Sequence, residues 1–186
     1  MIEIKCMGRG GQGAVTMARV LAYAACKDGK FGQSTQDAAG IRRGAEMAGY
    51  ARIDNERVSD RGIIKMPDYF VLLDSGLAET LKLDTMLKKD GELIINSSKK
   101  LKFDHKAVCV DATSIAIKYL GVPIINTSML GAFVAATDVL SLEAIEVAAK
   151  EQLLRKYSKE KQTANIDAIR KTYEGPHSLS PRRSQS

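Results

Sequence analysis

Two hydrophobic periods share this chain: short strand-like apolar runs bounded by glycine, and longer stretches with apolar residues every three to four positions. Residues 2–7 predict a first strand and 8–13 a turn. Residues 14–28 predict a helix that is apolar nearly all round, with Thr16, Arg19 and Tyr23 on one narrow polar face, so it is expected to be largely buried. A second strand is expected over 30–35, followed by a polar, glycine-punctuated loop over 36–45. Alternation over 46–53 predicts a strand that turns at Asp54-Asn55 into a short return strand near Val58. The unbroken apolar run 69–73 reads as a strand covered on both faces. A helix over 76–88 and strands over 92–96 and 107–110 complete this part.

The remainder is helical. A helix over 113–120 stops at Gly121 and Pro123. Thr127 or Ser128 is placed to cap a buried helix running through Asp138, with Gly131 allowing close packing. Ser141 opens a capping signal for a helix through Leu154, and Ile166, Ile169 and Tyr173 form a last short stripe. The pattern predicts an α/β fold of three layers, α/β/α. Its Rossmann-like, mostly parallel sheet has an antiparallel excursion and a helical C-terminal part. Residues 1–174 are expected to form one domain, and 175–186, which lack periodicity, a flexible tail.

Composition narrows the function. The 186 residues are 45% hydrophobic and 27% charged, which is ordinary for a globular protein. No stretch approaches 18 uncharged apolar residues, so no membrane span is expected, and the N-terminal residues lack the apolar core of a signal peptide. Cys6, Cys26 and Cys109 lie far apart with no CxxC, and His105 and His177 are isolated, so no metal site is expected on this chain. Free thiols point to a cytoplasmic compartment.

The formal net charge of +6 is unevenly spread: residues 1–65 carry +4, residues 66–174 none and the tail +2. A positive first third beside a glycine-rich turn suits a phosphorylated small molecule. Nucleic acid is not expected as a partner, because 5% aromatic residues and no tryptophan offer little base stacking.

The glycine-rich turn is the strongest local signal. Gly8, Gly10 and Gly13 satisfy GxGxxG between a strand and a helix, with Gly11 and Gln12 between them. Such glycines let backbone N–H groups approach an anion at the following helix N-terminus. The same glycines would also serve a tight crossover that binds nothing. A dinucleotide reading needs an acid at the end of the second strand, and none stands there before Asp37. No Gly-Lys-Ser/Thr follows, so this is not a Walker A loop.

Arg42 and Arg43 are the second candidates, able to clamp a phosphate between them or to remain a solvated charge pair. Their loop follows the second strand and the glycine loop follows the first, which places both at one crevice of an open sheet. His105 reads as a solvated loop residue, and Cys6 and Cys109 as inert core thiols. No catalytic constellation is present: the chain is equipped to bind.

Four blocks, in order, resemble the gamma subunit of 2-oxoacid:ferredoxin oxidoreductases. They are the 8–16 run GRGGQGAVT, the 40–45 run GIRRGA, the 66–74 run MPDYFVLLD and the 126–133 run NTSMLGAF. Ala38-Ala39-Gly40-Ile41 departs from the aromatic-Gly-Pro-Glu run usual in that family. The opening and the double arginine are similar to the pyruvate or branched-chain type. The resemblance implies a noncatalytic subunit of a complex that oxidatively decarboxylates a 2-oxoacid with coenzyme A and reduces ferredoxin. It implies alpha, beta and delta-type partner subunits that hold thiamine diphosphate and iron–sulfur clusters. Coenzyme A phosphates would then contact Gly8, Gly10, Gly11, Gln12, Gly13, Arg42 and Arg43. A stand-alone nucleotide-binding module and a purely structural subunit remain alternatives.

Overall fold

A computed structural model describes residues 1–37 and 45–175. The expectations for Arg42, Arg43, His177 and the tail beyond Gly175 therefore lie outside the described residues. Six strands form one sheet: β1 (Ile2–Arg9), β2 (Phe31–Gln36), β3 (Glu46–Asp54), β4 (Tyr69–Leu72), β5 (Glu92–Asn96) and β6 (Lys106–Val110). Their order is β2-β3-β1-β4-β5-β6. β1, β4, β5 and β6 are parallel neighbours, and β3 runs antiparallel to both β1 and β2. The antiparallel excursion is thus β3 itself, inserted between β1 and β2. The return strand expected near Val58 is absent, because that segment is irregular.

The helices α1 (Ala14–Lys27), α2 (Ala112–Leu120), α3 (Ile125–Thr137), α4 (Leu142–Ala149) and α5 (Lys159–Glu174) pack on one face. There Ile4, Cys6, Ala51, Ile53, Val71 and Ile94 of the sheet meet Met17, Leu21, Met129, Phe133 and Ile145 of the helices. As the sequence predicts, α1 is mostly buried, with Arg19 exposed. The sheet and the other helices of this chain bury it. Asp111, Ser141 and Ser158 cap α2, α4 and α5 by accepting from backbone N–H groups three residues on. The run expected as one helix to Leu154 changes at Ala149 into a π-helical turn, Lys150–Leu154.

Two further helix expectations need correction. α3 starts at Ile125, so Thr127 and Ser128 lie inside its first turns rather than at its cap. Both are fully buried, and their hydroxyl oxygens have no partner among the described residues. In α5 the buried stripe is Ile166, Ile169 and Thr172, and Tyr173 is exposed. The Thr172 hydroxyl donates to the Ser128 carbonyl of α3, which draws the helices together. Gly131 makes that approach possible: a Cβ there would overlap the Ile169 carbonyl oxygen.

The other face of the sheet carries Met7, Phe70, Leu72, Leu93 and Ile95. No α-helix forms over 76–88. Two 3₁₀ turns, Ser75–Leu77 and Leu83–Thr85, drop Leu77, Leu83 and Leu87 onto this face instead. Polar contacts fix these turns. Asp84 Oδ1 accepts from the His105 backbone N–H at 3.1 Å and lies 3.0 Å from His105 Nδ1, while His105 Nε2 lies 3.1 Å from the Lys88 carbonyl. His105 is therefore a packed staple, not a solvated loop residue. Over β3, the buried Arg52 reaches Glu3 at 3.2 Å, Asp60 at 3.4 Å and the Gly62 carbonyl at 2.8 Å. Cys6 and Cys109 are buried and Cys26 is exposed. Among the described residues no helix is long and apolar enough to cross a membrane.

Two outcomes follow for stability. Gly131→Ala should cost about 1–3 kcal/mol by overpacking at the α3–α5 crossing, read as a lower Tm and a lower urea midpoint. Partial burial of Asp84 opposes its charged form, but hydrogen bonds from His105 and Asp104 outweigh it and hold the carboxyl below its ordinary value. A depressed carboxylate stabilises above the unfolded pKa of about 3.9 and loses that contribution as pH falls through the folded value. Asp84→Asn should flatten the acid limb of Tm against pH, and an unchanged limb would refute the staple.

Candidate functional site: the glycine loop at the carboxyl edge

β1 and β4 end side by side, and the loops beyond them form the crest where open α/β sheets bind ligands. Gly8 is not in the turn. It is buried within β1 opposite Met47, where a Cβ would lie 2.7 Å from Gln12 Oε1. Its smallness makes room for Gln12 to fold back. The turn proper is 10–13. Gly11 has φ 101° and Gly13 φ 85°, left-handed values that a side chain disfavours. Gly13 is the N-cap of α1, and no side chain caps that helix. The first-turn N–H groups of α1 thus face the crest with the positive end of the helix dipole behind them.

Asp74, just after β4, braces the loop. Its Oδ2 accepts from Arg9 Nε at 3.0 Å and from Gln12 Nε2 at 3.1 Å, and its Oδ1 accepts from the Gly76 N–H at 2.9 Å. Gln12 Oε1 in turn accepts from the Arg9 N–H at 2.7 Å. Gln12 is therefore structural at this site: both ends of its amide are committed to the loop. Asn126, the second residue of α3, packs on Gly13 from the other side.

The described residue that follows the arginine segment, Ala45, lies at the glycine loop, but not for the expected reason. β1 and β2 are not neighbours, since β3 lies between them. Because β3 runs antiparallel to β1, its start pairs with the end of β1: Arg9 faces Glu46, and the Gly10 N–H donates to the Ala45 carbonyl at 2.8 Å. The described ends of the segment, Asp37 and Ala45, are tied to β3 and to the glycine loop. Arg42 and Arg43 fall between those ends, outside the described residues. Beneath, the buried Lys5 amine stands 5.3 Å from the Phe70 ring centre; burial pushes its pKa down, and the carboxylates of Asp37 and Glu46 oppose that shift.

Sequence reasoning missed Asp74 and Asn126. Each carries a legible signal: an acid directly after a fully apolar strand, and an amide opening an otherwise apolar helix. A separate depression of about 420 Å³, lined in part by Ser97, Lys99, Lys100, Asp111 and Ser114, lies at the ends of β5 and β6. It includes none of the glycine-loop residues. Among the described residues no group of three or more His, Cys, Asp or Glu could hold a metal ion.

An open mixed sheet whose first strand passes through a glycine-rich turn into an uncapped helix defines an α/β protein. Residues 3–175 match the pyruvate ferredoxin/flavodoxin oxidoreductase family, and the chain belongs to that family. It is 46% identical over 149 residues to pyruvate synthase subunit PorC of Methanocaldococcus jannaschii, covering 80% of this chain and 84% of the relative. It is 41% identical to the pyruvate/ketoisovalerate oxidoreductases common subunit gamma of Pyrococcus abyssi, covering 92% and 97%.

The crystal structure of pyruvate oxidoreductase subunit PORC from Thermotoga maritima superposes with a TM-score of 0.78 at 36% identity, covering 93% and 95%. The 2-oxoglutarate:ferredoxin oxidoreductase of Magnetococcus marinus, solved with 2-oxoglutarate, coenzyme A and succinyl-CoA bound, shares the fold. It matches at a TM-score of 0.75 and 18% identity over 92% of this chain and 30% of that one. The chain is accordingly a gamma-type subunit of a multisubunit 2-oxoacid:ferredoxin oxidoreductase.

If Asp74 braces the loop, Asp74→Ala should speed amide hydrogen exchange across residues 9–14 by about tenfold or more, with exchange in the core of β5 unchanged. Equal protection in both proteins would remove Asp74 from this role.

Proposed function

We propose that this gamma subunit binds the phosphates of coenzyme A at the crest formed by the glycine loop and the segment that follows β2. The observation that supports this reading most is the N-terminus of α1: uncapped, preceded by Gly11 and Gly13 at positive φ, and joined through the Gly10–Ala45 hydrogen bond to the arginine-bearing segment. The proposed contacts are the backbone N–H groups of Gly11 and Gly13, since those of Gly10 and Gln12 donate to the Ala45 and Arg9 carbonyls, together with the guanidinium groups of Arg42 and Arg43. Gly8 and Gln12 contribute by shaping the loop.

In this reading the complex oxidatively decarboxylates pyruvate, or a related branched-chain 2-oxoacid, with coenzyme A to acyl-CoA and CO₂, reducing ferredoxin. The family resemblance supports thiamine diphosphate and iron–sulfur clusters on alpha, beta and delta-type partner subunits, and a cytoplasmic location. The relatives named for pyruvate and ketoisovalerate favour that substrate class. A dinucleotide reading is disfavoured, because the neighbour of β1 on the β2 side is the antiparallel β3 and no acid stands at a second parallel strand there. A purely structural role loses its main support, because α1 and α3 are buried by this chain's own sheet and helices.

In the assembled complex, Arg42→Ala with Arg43→Ala should raise the apparent KM for coenzyme A at least about tenfold, since hydrogen bonds to charged groups are worth about 1.5–3 kcal/mol each. The KM for the 2-oxoacid should stay unchanged. An unchanged coenzyme A KM with lost assembly would instead establish the packing role.

A further inference from the structure

Two helices of this chain begin without a side-chain cap, and they begin against each other. α1 follows Gly13 and α3 follows Ile124, and no side chain accepts a hydrogen bond from the first turn of either. They meet at Asn126: a Cβ on residue 13 would lie 2.5 Å from Asn126 Nδ2 and 2.7 Å from its Cγ. Each helix start presents unpaired N–H groups and the positive end of a dipole. Two such ends side by side repel unless an anion lies between them.

Asn126 is the second feature that points to a ligand. It is 7% exposed, and its side-chain amide forms no hydrogen bond among the described residues. Its neighbours Thr127 and Ser128 also carry unpartnered hydroxyls, but both are sealed at 0% exposure and reach nothing outside the core. Asn126 alone of the three keeps some exposure, and its amide packs against the N-cap of α1. A buried amide without a partner is unusual in a folded chain. Here its Nδ2 hydrogens stand beside backbone donors of the same sign.

We propose that Asn126 is a ligand-binding residue, its Nδ2 donating to a phosphoryl group of coenzyme A held between the N-termini of α1 and α3. The inference rests on the coenzyme A reading above and adds to it a contact from α3. It also assigns a function to the tight Gly13–Asn126 approach: glycine at 13 lets the amide reach the oxygens that the α1 N–H groups bind. A tetrahedral anion with several acceptor oxygens suits donors arriving from two helices.

The test uses the assembled oxidoreductase with Asn126→Asp, which keeps the side-chain size and sets a negative charge against the anion. Asn126→Ser, which removes the amide without adding charge, serves as the second variant. The probe is ADP, which shares the adenosine diphosphate part of coenzyme A and is assayed as its competitor. Asn126→Asp is expected to raise the coenzyme A KM and the ADP inhibition constant in parallel, by about tenfold or more, with kcat within about twofold. Asn126→Ser is expected to raise both by several fold.

Tm for each variant separates folding from binding, and Asn126→Ser carries the test if the aspartate variant does not assemble. A fall in kcat with both constants unchanged would overturn the inference. So would unchanged constants in both Asn126 variants while the double arginine variant raises KM, and that result would leave the coenzyme A reading standing. Unchanged constants in all three would overturn both.

Discussion

The site hangs on the antiparallel register between β1 and β3. In that register the last residue of β1, Arg9, faces the first residue of β3, Glu46, and the ladder closes with the Gly10–Ala45 hydrogen bond. A parallel neighbour would have sent the chain leaving β2 to a different partner. Because β3 runs the other way, its first residue, Glu46, and Ala45 just before it lie beside the glycine loop. The same reversal leaves β1 with β4 on its other side, and β4 ends at the height from which Asp74 reaches Arg9, Gln12 and Gly76. One strand direction therefore brings together three separate stretches of sequence.

The two faces of the sheet are held by different forces. On the helical face the contacts are apolar and continuous, from Ile4 and Val71 through Met17 and Met129 to Ile145 and Ile169. Burial there is non-directional and tolerates no gaps. The opposite face has a smaller apolar cluster and, among the described residues, no α-helix to cover it. Its leucines are lowered on 3₁₀ turns held in place by Asp84 and His105, and β3 is covered through Arg52 between Glu3 and Asp60. Directional polar contacts do on that side what a helix does on the other. Acid sensitivity is accordingly expected to begin in the second layer.

Much of this was legible along the chain. The glycine run between a strand pattern and an apolar helix pattern marked the β1–α1 turn. The unbroken run ending at Leu73 marked a fully covered strand, and Ser141 marked a helix start. The errors have particular causes. Residues 76–88 carry a helix-like spacing of leucines, yet the polar anchors that make two 3₁₀ turns there, Asp74 and Asp84, act through Gly76 and the distant His105. Thr127 and Ser128 look like caps because their residue types favour that position, but α3 begins earlier and buries both. His105 looks solvated among charged neighbours in sequence, although its ring contacts lie at Asp84 and Lys88.

Local structure was therefore decided by the sequence alone: which runs form strands, which helix is buried, and where glycines let the backbone turn. Those are short-range properties set by side-chain size, polarity and period. What only the tertiary structure decided is adjacency. The insertion of β3 between β1 and β2, the reach of Asp74 across from β4, and the seat of Asn126 on Gly13 join residues up to 113 positions apart. No periodicity encodes such separations. They follow from the strand order and from the space that glycine leaves where two helices begin.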